Sequence, residues 1–487
     1  MVQPRTVTLR PTDSEAGEVV AAADLLARFD AIRAEQEVPA EFPAEVLAEA
    51  EEVAATPLVR PERDETQTPF LTIDPTGSMD LDQAMHLSRE GDGYRVQYAI
   101  AHLESFVAPG GAIDEEARRR GQTIYSPDER SPLHPPVFSE GAASLLPDEI
   151  RPAYVWDIQL DATGKHTAAK VYPALVRSVD RLEYTAVQES VDQGTDDERL
   201  LLLKEIGEKR IALEQERGGA SLPMPDQEVE QVDGGFRLHL RPLVPAEDWN
   251  AQISLLTGMV AAEMMLTAKV GILRTMPDPD DKAIGQLRRI AQALGVDWAE
   301  GTDHGSFLRS LDGTDPKHLA LIHESTVLFR GAGYTAFDGQ LPELVEQSAI
   351  GAPYAHVTAP LRRLVDRFGL ALCAAISTGN DVPQWVREAL PMLPELMESS
   401  DRRAGSVERA TTDAVEAATL ADRVDEKFEA VVVDVPDGKG DREELEVQLV
   451  DPPVLARAKG RAELGASVTV RLTAVDLATG KVSFEVA

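Results

Sequence analysis

The sequence predicts an α+β protein in which a strand-rich segment and long helices are followed by a small β-barrel. Three observations carry that expectation. From residue 70 to about 176, apolar and polar side chains alternate between turns marked by Gly and Pro, a period of two. From about 180 to 424 helical spacing dominates, with Leu200-Leu-Leu-Leu-Lys-Glu-Ile206 as its first centre. Beyond Asp425 the period returns to two. These changes divide the 487 residues into 1–65, 66–424 and 425–487, a length suited to more than one domain.

The elements follow in order. Residues 14–55 read as helical, with apolar spacing of three and four over 21–33 and a second segment opening at Pro43, where proline suits a first turn. Phe70-Leu-Thr-Ile73 begins the strands, and Gly91-Asp-Gly93 before Tyr94-Arg-Val-Gln-Tyr-Ala-Ile100 is hairpin punctuation. Residues 180–231 read as helical and 236–241 as a strand. Long helices are expected over 250–270, 280–294, 316–328 and 361–375. The last four strands, 428–435, 444–450, 467–474 and 481–486, are joined by Gly-rich turns and fit a barrel of the OB or S1 type. Its aromatics are Phe428 and Phe484, too few for a base-stacking surface, so the barrel reads as a stabilising module.

Composition excludes some classes. Apolar residues make up 43% but are interrupted by charge, so no membrane span is expected. The first residues lack the apolar core of a secretion signal. A single cysteine, Cys373, excludes an internal disulfide and fits a reducing cytoplasm. A net charge of −36 is opposite to the usual footprint of a nucleic-acid binder. Any basic surface must therefore be local, and Arg118-Arg119-Arg120, Arg288-Arg289, Arg362-Arg363 and Arg367 are the candidates for lining a channel.

The most informative stretch is Asp74-Pro-Thr-Gly-Ser-Met-Asp80-Leu-Asp82-Gln83. Asp80 and Asp82 share a side in extended chain, and Pro75 with Gly77-Ser78 reads as a turn folding Asp74 back beside them. Clustered carboxylates repel, and an all-oxygen set calls for a hard cation, Mg²⁺ or Mn²⁺. Such a cation suits attack on phosphate esters.

That segment resembles the signature of the ribonuclease II family, the RNB-domain 3′-to-5′ exoribonucleases, whose run ends Asp-Leu-Asp-Asp-Ala. Further blocks resemble the family in the right order: Ala99-Ile-Ala-His102 through Gly110, Ile113-Asp-Glu-Glu-Ala117 through Tyr125, Ser131-Pro-Leu-His-Pro135, and Tyr354-Ala-His356-Val-Thr358-Ala-Pro-Leu-Arg362-Arg363-Leu-Val-Asp366. Together they cover about residues 66–415. The resemblance implies an RNB fold of mixed sheet and surrounding helices, closed by an S1-like barrel. About 65 mostly helical residues precede it, too few for the two cold-shock barrels that usually do.

The resemblance also implies roles. Asp74 and Asp80 help hold Mg²⁺, and Asp82 stands nearest the hydrolytic step. Arg362 holds the scissile phosphate and Asp366 orients it, with Thr358 and Pro360 marking a helix entrance that favours an anion. Tyr125 stacks on the 3′-terminal base, Glu408 packs against that nucleotide from the other side, and His356 and Arg363 contact RNA. The stretch 247–254 resembles a family helix whose Asn250 braces the site. Two positions depart from the family: Gln83 replaces its fourth aspartate, offering a carbonyl oxygen without charge, and His102 replaces an aspartate as a structural hydrogen-bonder. The implied function is hydrolysis of single-stranded RNA 3′ ends or short oligoribonucleotides to nucleoside 5′-monophosphates by a monomer. The alternative is an RNA-binding scaffold with a weakened site.

Overall fold

The computed structural model describes residues 7–10, 19–56, 61–232, 235–435 and 444–487. Positions 14–18 of the first helical pattern and the turn after Val435 lie outside those residues. The mixed sheet expected after residue 70 closes on itself. Phe70–Asp74, Gln83–Glu90, Gly93–Ala101, Ile150–Leu160 and His166–Glu183 form a five-stranded barrel. Neighbours are antiparallel, with Glu90 opposite Gly93 across the expected two-residue turn, and Phe70–Asp74 closes the barrel in parallel with His166–Glu183. Period-two alternation then sorts the side chains. Tyr98, Ile100 and Trp156 join a core with the surrounding helices, whereas Ala99, Ala153 and Val155 join Phe70 and Leu81 in a second.

The helices Glu198–Glu216, Pro245–Ala268 and Leu364–Ser377 supply Ile206, Ile253, Leu256 and Phe368 to the first core. By length and composition Pro245–Ala268 is long and apolar enough to cross a membrane, with mean hydropathy 1.3 over its apolar stretch. Its position explains that composition, since 61% of the stretch is buried inside the protein.

Several elements differ from expectation. The helical reading of 180–231 ends early, because Pro223 and Pro225 deny the backbone its helical N–H donors. Asp226–Val232 is instead a strand, paired with Gly235–Arg241 and, in parallel, with Val7–Arg10, so the first 65 residues are not wholly helical. Pro43 is an extended cap before the Ala44–Ala55 helix rather than part of its first turn. The helix expected from 361 starts at Leu364, because residues 362–364 are drawn out to pair with 121–123. Thr123 N–H donates to Arg362 at 2.9 Å and Leu364 N–H to Gly121 at 3.0 Å. A 28-residue helix, Leu393–Leu420, runs beneath the C-terminal barrel and shares a core with Phe29, Ile32 and Phe428.

The C-terminal barrel has five strands, Lys427–Asp434, Glu444–Leu449, Leu455–Lys459, Ser467–Asp476 and Lys481–Val486. The unexpected one, Leu455–Lys459, buries only Ala456 and Ala458, whose small side chains leave a faint periodic signal. Phe428 and Phe484 meet edge to face in the core.

Arg367, a candidate for a basic channel, is instead buried against Asp114, with 2.6 Å between Arg367 Nη1 and Asp114 Oδ1 and both side chains 1% exposed. Arg367 also donates to the Val107 carbonyl, and Gly110 N–H donates to Asp114. Burial alone would raise the Asp114 pKa, but the guanidinium and these donors hold it below the usual carboxylate range. A pKa lowered by folding stabilises above the unfolded value, and the benefit is lost as pH falls through the folded one. Arg367→Met removes the fully buried partner of Asp114 and leaves it with Arg118 and the Gly110 N–H, so urea unfolding at neutral pH should show a loss of about 1–3 kcal/mol. That deficit should shrink below about pH 4.

Candidate functional site

The acidic loop is held from behind. Asp74 ends the first barrel strand, and a turn follows in which Ser78 N–H donates to Pro75 and Gly77 takes a φ of +83°, a conformation that favours glycine. Leu81 N–H then donates to Ser144 Oγ at 3.0 Å, the Ser144 hydroxyl donates to the Met79 carbonyl at 2.7 Å, and Leu145 N–H donates to Leu81 at 3.0 Å. These bonds turn Asp82 inward, where it is 4% exposed. Its Oδ1 accepts from Leu361 N–H at 2.7 Å and its Oδ2 lies 3.4 Å from Arg362 Nε.

The arginine loop is braced in turn. Asp366, fully buried, accepts from Ala359 N–H at 2.7 Å and takes the Arg363 guanidinium as a fork at 2.9 and 3.0 Å. It therefore orients Arg363 and the loop, not Arg362 as expected. Arg363 caps the helix and is committed to this pair, so it is not a free RNA contact. Thr358 is buried, its carbonyl accepts from Gln83 Nε2 at 2.7 Å, and it precedes the helix by a loop. His356 is also buried, with Nδ1 against the Tyr334 hydroxyl at 2.8 Å. Burial and then Arg363 and Arg274 hold its pKa well below the usual value, so it is neutral and not a cationic phosphate ligand.

Gln83 is not placed as a metal ligand. Its Oε1 accepts from the Tyr98 hydroxyl at 2.6 Å, beside Ser254, and its Nε2 is spent on Thr358. Asp80 pairs with Arg130 at 2.6 Å, and the other arm of Arg130 reaches Glu140 at 2.6 Å. Asn250 donates to the Tyr184 hydroxyl at 2.9 Å, and Tyr184 lies close enough to Asp74 to feel its charge. His102 bonds Ser105 at 2.6 Å, the structural role expected of it. Tyr125 is 48% exposed, and Glu408 is half-buried on the Leu393–Leu420 helix, which packs against the Ile124–Tyr125 strand. Sequence reasoning missed Arg130, Ser144, Tyr98 and the Leu361 amide, because nothing in local spacing links them to the acidic run.

Electrostatics single out two carboxylates. Burial pushes Asp82 up to about 8 despite the opposing pull of Arg362 and Leu361 N–H. Burial likewise pushes Asp74 up to about 6, with Arg362 pulling it down and Asp80 pushing it further up. Among the described residues no group of three or more His, Cys, Asp or Glu is arranged as a ready cage for a metal. The donor chemistry still fits one. Mg²⁺ commonly uses one or two carboxylates together with substrate phosphate and retained water. Asp74 and Asp82 carry that kind of uncompensated charge. Several other basic candidates are paired within the fold, Arg118 with Asp114, Arg119 and Arg120 with Glu116, and Arg288 with the Thr302 carbonyl, whereas Arg289 is exposed. Arg362 keeps 43% of its side chain exposed at the mouth of the acidic loop.

Comparison with known proteins places the chain in a family. The RNB domain model matches residues 62–372, and the model for an RNase II-type exonuclease C-terminal S1 domain matches 426–487. Ribonuclease R of Vibrio cholerae is 26% identical over 452 residues, which is 83% of this chain and 52% of that protein. The chain spans about half the length of the curated relatives it matches. Among solved structures, Mycoplasma genitalium RNase R in complex with ribose-methylated single-stranded RNA superposes with a TM-score of 0.82 at 19% identity, over 95% of this chain and 78% of that one. Yeast Ssd1, described as a pseudonuclease, superposes with a TM-score of 0.68 at 16% identity, over 92% of this chain and 58% of that one.

Two outcomes follow from the site. The raised pKa values of Asp74 and Asp82 mean that their stabilising contribution is complete below about pH 4. It is lost as pH rises through about 6 and about 8. A divalent cation counters that loss, so added Mg²⁺ should raise Tm little near pH 5.5 and clearly more near pH 8.5, and Asp82→Asn should flatten the difference. Gln83→Asp sets a carboxylate against the Thr358 carbonyl and removes its donor. Urea unfolding should then show a loss of about 1–3 kcal/mol, with no gain in Mg²⁺ affinity by titration calorimetry.

Proposed function

This chain belongs to the RNB-domain family and carries an RNase II-type C-terminal S1 domain, and on that premise we propose that it is a metal-dependent 3′-to-5′ exoribonuclease acting on single-stranded RNA. The observation that carries the reading is the meeting of Asp82 and Arg362 beside an exposed Tyr125. A guanidinium fork matches two phosphate oxygens, and its exposed face is free to take them. Tyr125 supplies a ring on which a terminal base stacks. Asp74 and Asp82 are the residues that would hold the cation, with Mg²⁺ the natural choice and Mn²⁺ an alternative. When bound, the cation supplies positive charge and a more acidic water.

The reaction is a hydrolysis. Water adds to phosphorus, the bond to the upstream O3′ breaks, that oxygen takes a proton, and a nucleoside 5′-monophosphate leaves. Arg362 neutralises charge on the phosphate as it develops, while buried Asp82 holds a carboxylate at the reacting end. With its aromatics in the core, the S1 barrel contributes little stacking. Most binding energy then comes from the last few nucleotides, so short oligoribonucleotides are good substrates.

A second reading rests on Gln83, which brings no charge and is tied up in hydrogen bonds. It is an RNA-binding scaffold with a weakened site, in the manner that yeast Ssd1 is a pseudonuclease.

Hydrolysis of 5′-labelled single-stranded RNA of about 4–30 nucleotides, with and without Mg²⁺, separates the two readings. The expected result is stepwise Mg²⁺-dependent shortening from the 3′ end, with affinity nearly flat across the length series and a shallow salt dependence. Arg362→Ala should lower kcat on the order of 10²–10³-fold, and Asp82→Asn should abolish turnover while leaving RNA affinity in place. RNA binding without shortening by clean protein establishes the scaffold instead.

A further inference from the structure

We propose that the helix Val19–Glu35 is a working part of the terminal-base clamp, with Arg33 as the positioning residue for Tyr125. The proposal rests on the RNA 3′-end reading above and adds a part of the chain to which that reading gives no role. Tyr125 and Arg130 are directly opposed in a short hairpin whose strands are Ile124–Tyr125 and Arg130–Ser131. Opposed residues in an antiparallel pair share a face, so Tyr125 and Arg130 point the same way, and Ile124 and Ser131 the other.

The helix grips this hairpin at two places. On the inward face, Ile124 is buried in one core with Phe29 and Ile32 of the helix. At the tip, where Ser126 N–H donates to the Glu129 carbonyl, Arg33 forks onto Asp128 at 2.7 and 3.0 Å, and its Nε lies 3.1 Å from Glu129. Arg33 is 8% exposed, the Asp128 side chain 14%, and Asp30 on the same helix braces the guanidinium at 2.5 Å. A bidentate arginine–carboxylate pair sheltered from water fixes direction as well as distance. It therefore sets where the hairpin points, and with it the angle at which the Tyr125 ring meets a base.

The far side of the hairpin is tied to the same segment. The Arg120 guanidinium donates to the carbonyls of Pro39 and Glu41, just after the helix, and to that of Pro132, just after the hairpin. Arg130 has a separate anchor in Glu140. Loss of the Arg33 grip thus falls on the hairpin tip and Tyr125, while Glu140 still holds Arg130.

The test is a double-mutant cycle on binding. Affinity for a 5′-labelled pentaribonucleotide is measured in EDTA by anisotropy for the natural chain, Arg33→Met, Tyr125→Ala and the double variant, with Asp128→Asn as the same break made from the hairpin side. Arg33→Met and Asp128→Asn are each expected to weaken binding about fivefold or more, Arg33→Lys to restore part of it, and Arg33→Met to add nothing once Tyr125 is alanine. In turnover, KM should rise with kcat little changed, and the final product should lengthen. The proposal is overturned if Arg33→Met and Asp128→Asn leave affinity unchanged, or if Arg33→Met weakens binding equally with and without the tyrosine. If the natural chain fails to cleave RNA at all, the exonuclease reading falls while the binding cycle still decides the role of Arg33.

Discussion

Asp82 joins two parts of the chain that lie 279 residues apart, through the bond from the Leu361 amide to its carboxylate. Much of the site depends on that contact. A carboxylate removed from water is costly unless its charged form is hydrogen-bonded, and here one N–H and one guanidinium share the task incompletely. The remaining imbalance makes the position receptive to a cation. Gln83 to Thr358 and Asp366 to Ala359 hold the same loop from either side, so the loop geometry is over-determined and Arg362 is left with one end anchored and the other open. The contact also explains why the following helix starts late. Residues that would fill its first turn are drawn to the acidic strand and to the segment leading to Tyr125.

The net charge of −36 and the polyanionic substrate proposed above are reconciled by where the arginines are spent. Arg367, Arg120 and Arg363 neutralise carboxylates inside the fold, so these members of the clusters visible in the sequence are struts rather than a basic lining. At the acidic loop, Arg362 keeps an exposed guanidinium. Long-range steering is weak under such an arrangement, and specificity comes from contacts made after entry.

Much of the fold was legible because long periodic segments report their own burial. The hairpin at Gly91–Gly93, the Asp281–Leu294 helix expected over 280–294, and four of the five C-terminal strands follow from spacing alone. The Leu455–Lys459 strand was faint because alanine fills its inward positions, and Val7–Arg10 is stabilised by a partner more than 200 positions away. In the site, the acidic run and Arg362 were readable as chemistry. The partners were not: Arg130 on Asp80, Tyr98 on Gln83 and Arg33 on Asp128 are tertiary contacts that leave no local pattern. Arg363, Thr358 and His356, expected to meet RNA, have their side chains or carbonyls engaged inside the fold for a related reason. A motif conveys residue identity, and burial decides whether that residue faces the substrate or the core.

Gln83 shows how one changed side chain alters its surroundings. A carboxylate at this position could accept from Tyr98 and Ser254, but it could not donate to the Thr358 carbonyl, which would then face a negative charge in a poorly solvated place. The amide satisfies both partners at once, accepting at Oε1 and donating at Nε2. It also places a donor where an additional ligand charge would otherwise stand, while Asp80 is balanced by Arg130. On the proposed reading, metal affinity would rest on Asp74 and Asp82 together with the phosphate of the substrate. The same reading would couple binding of the cation and of the RNA end, because each would supply charge that the other lacks.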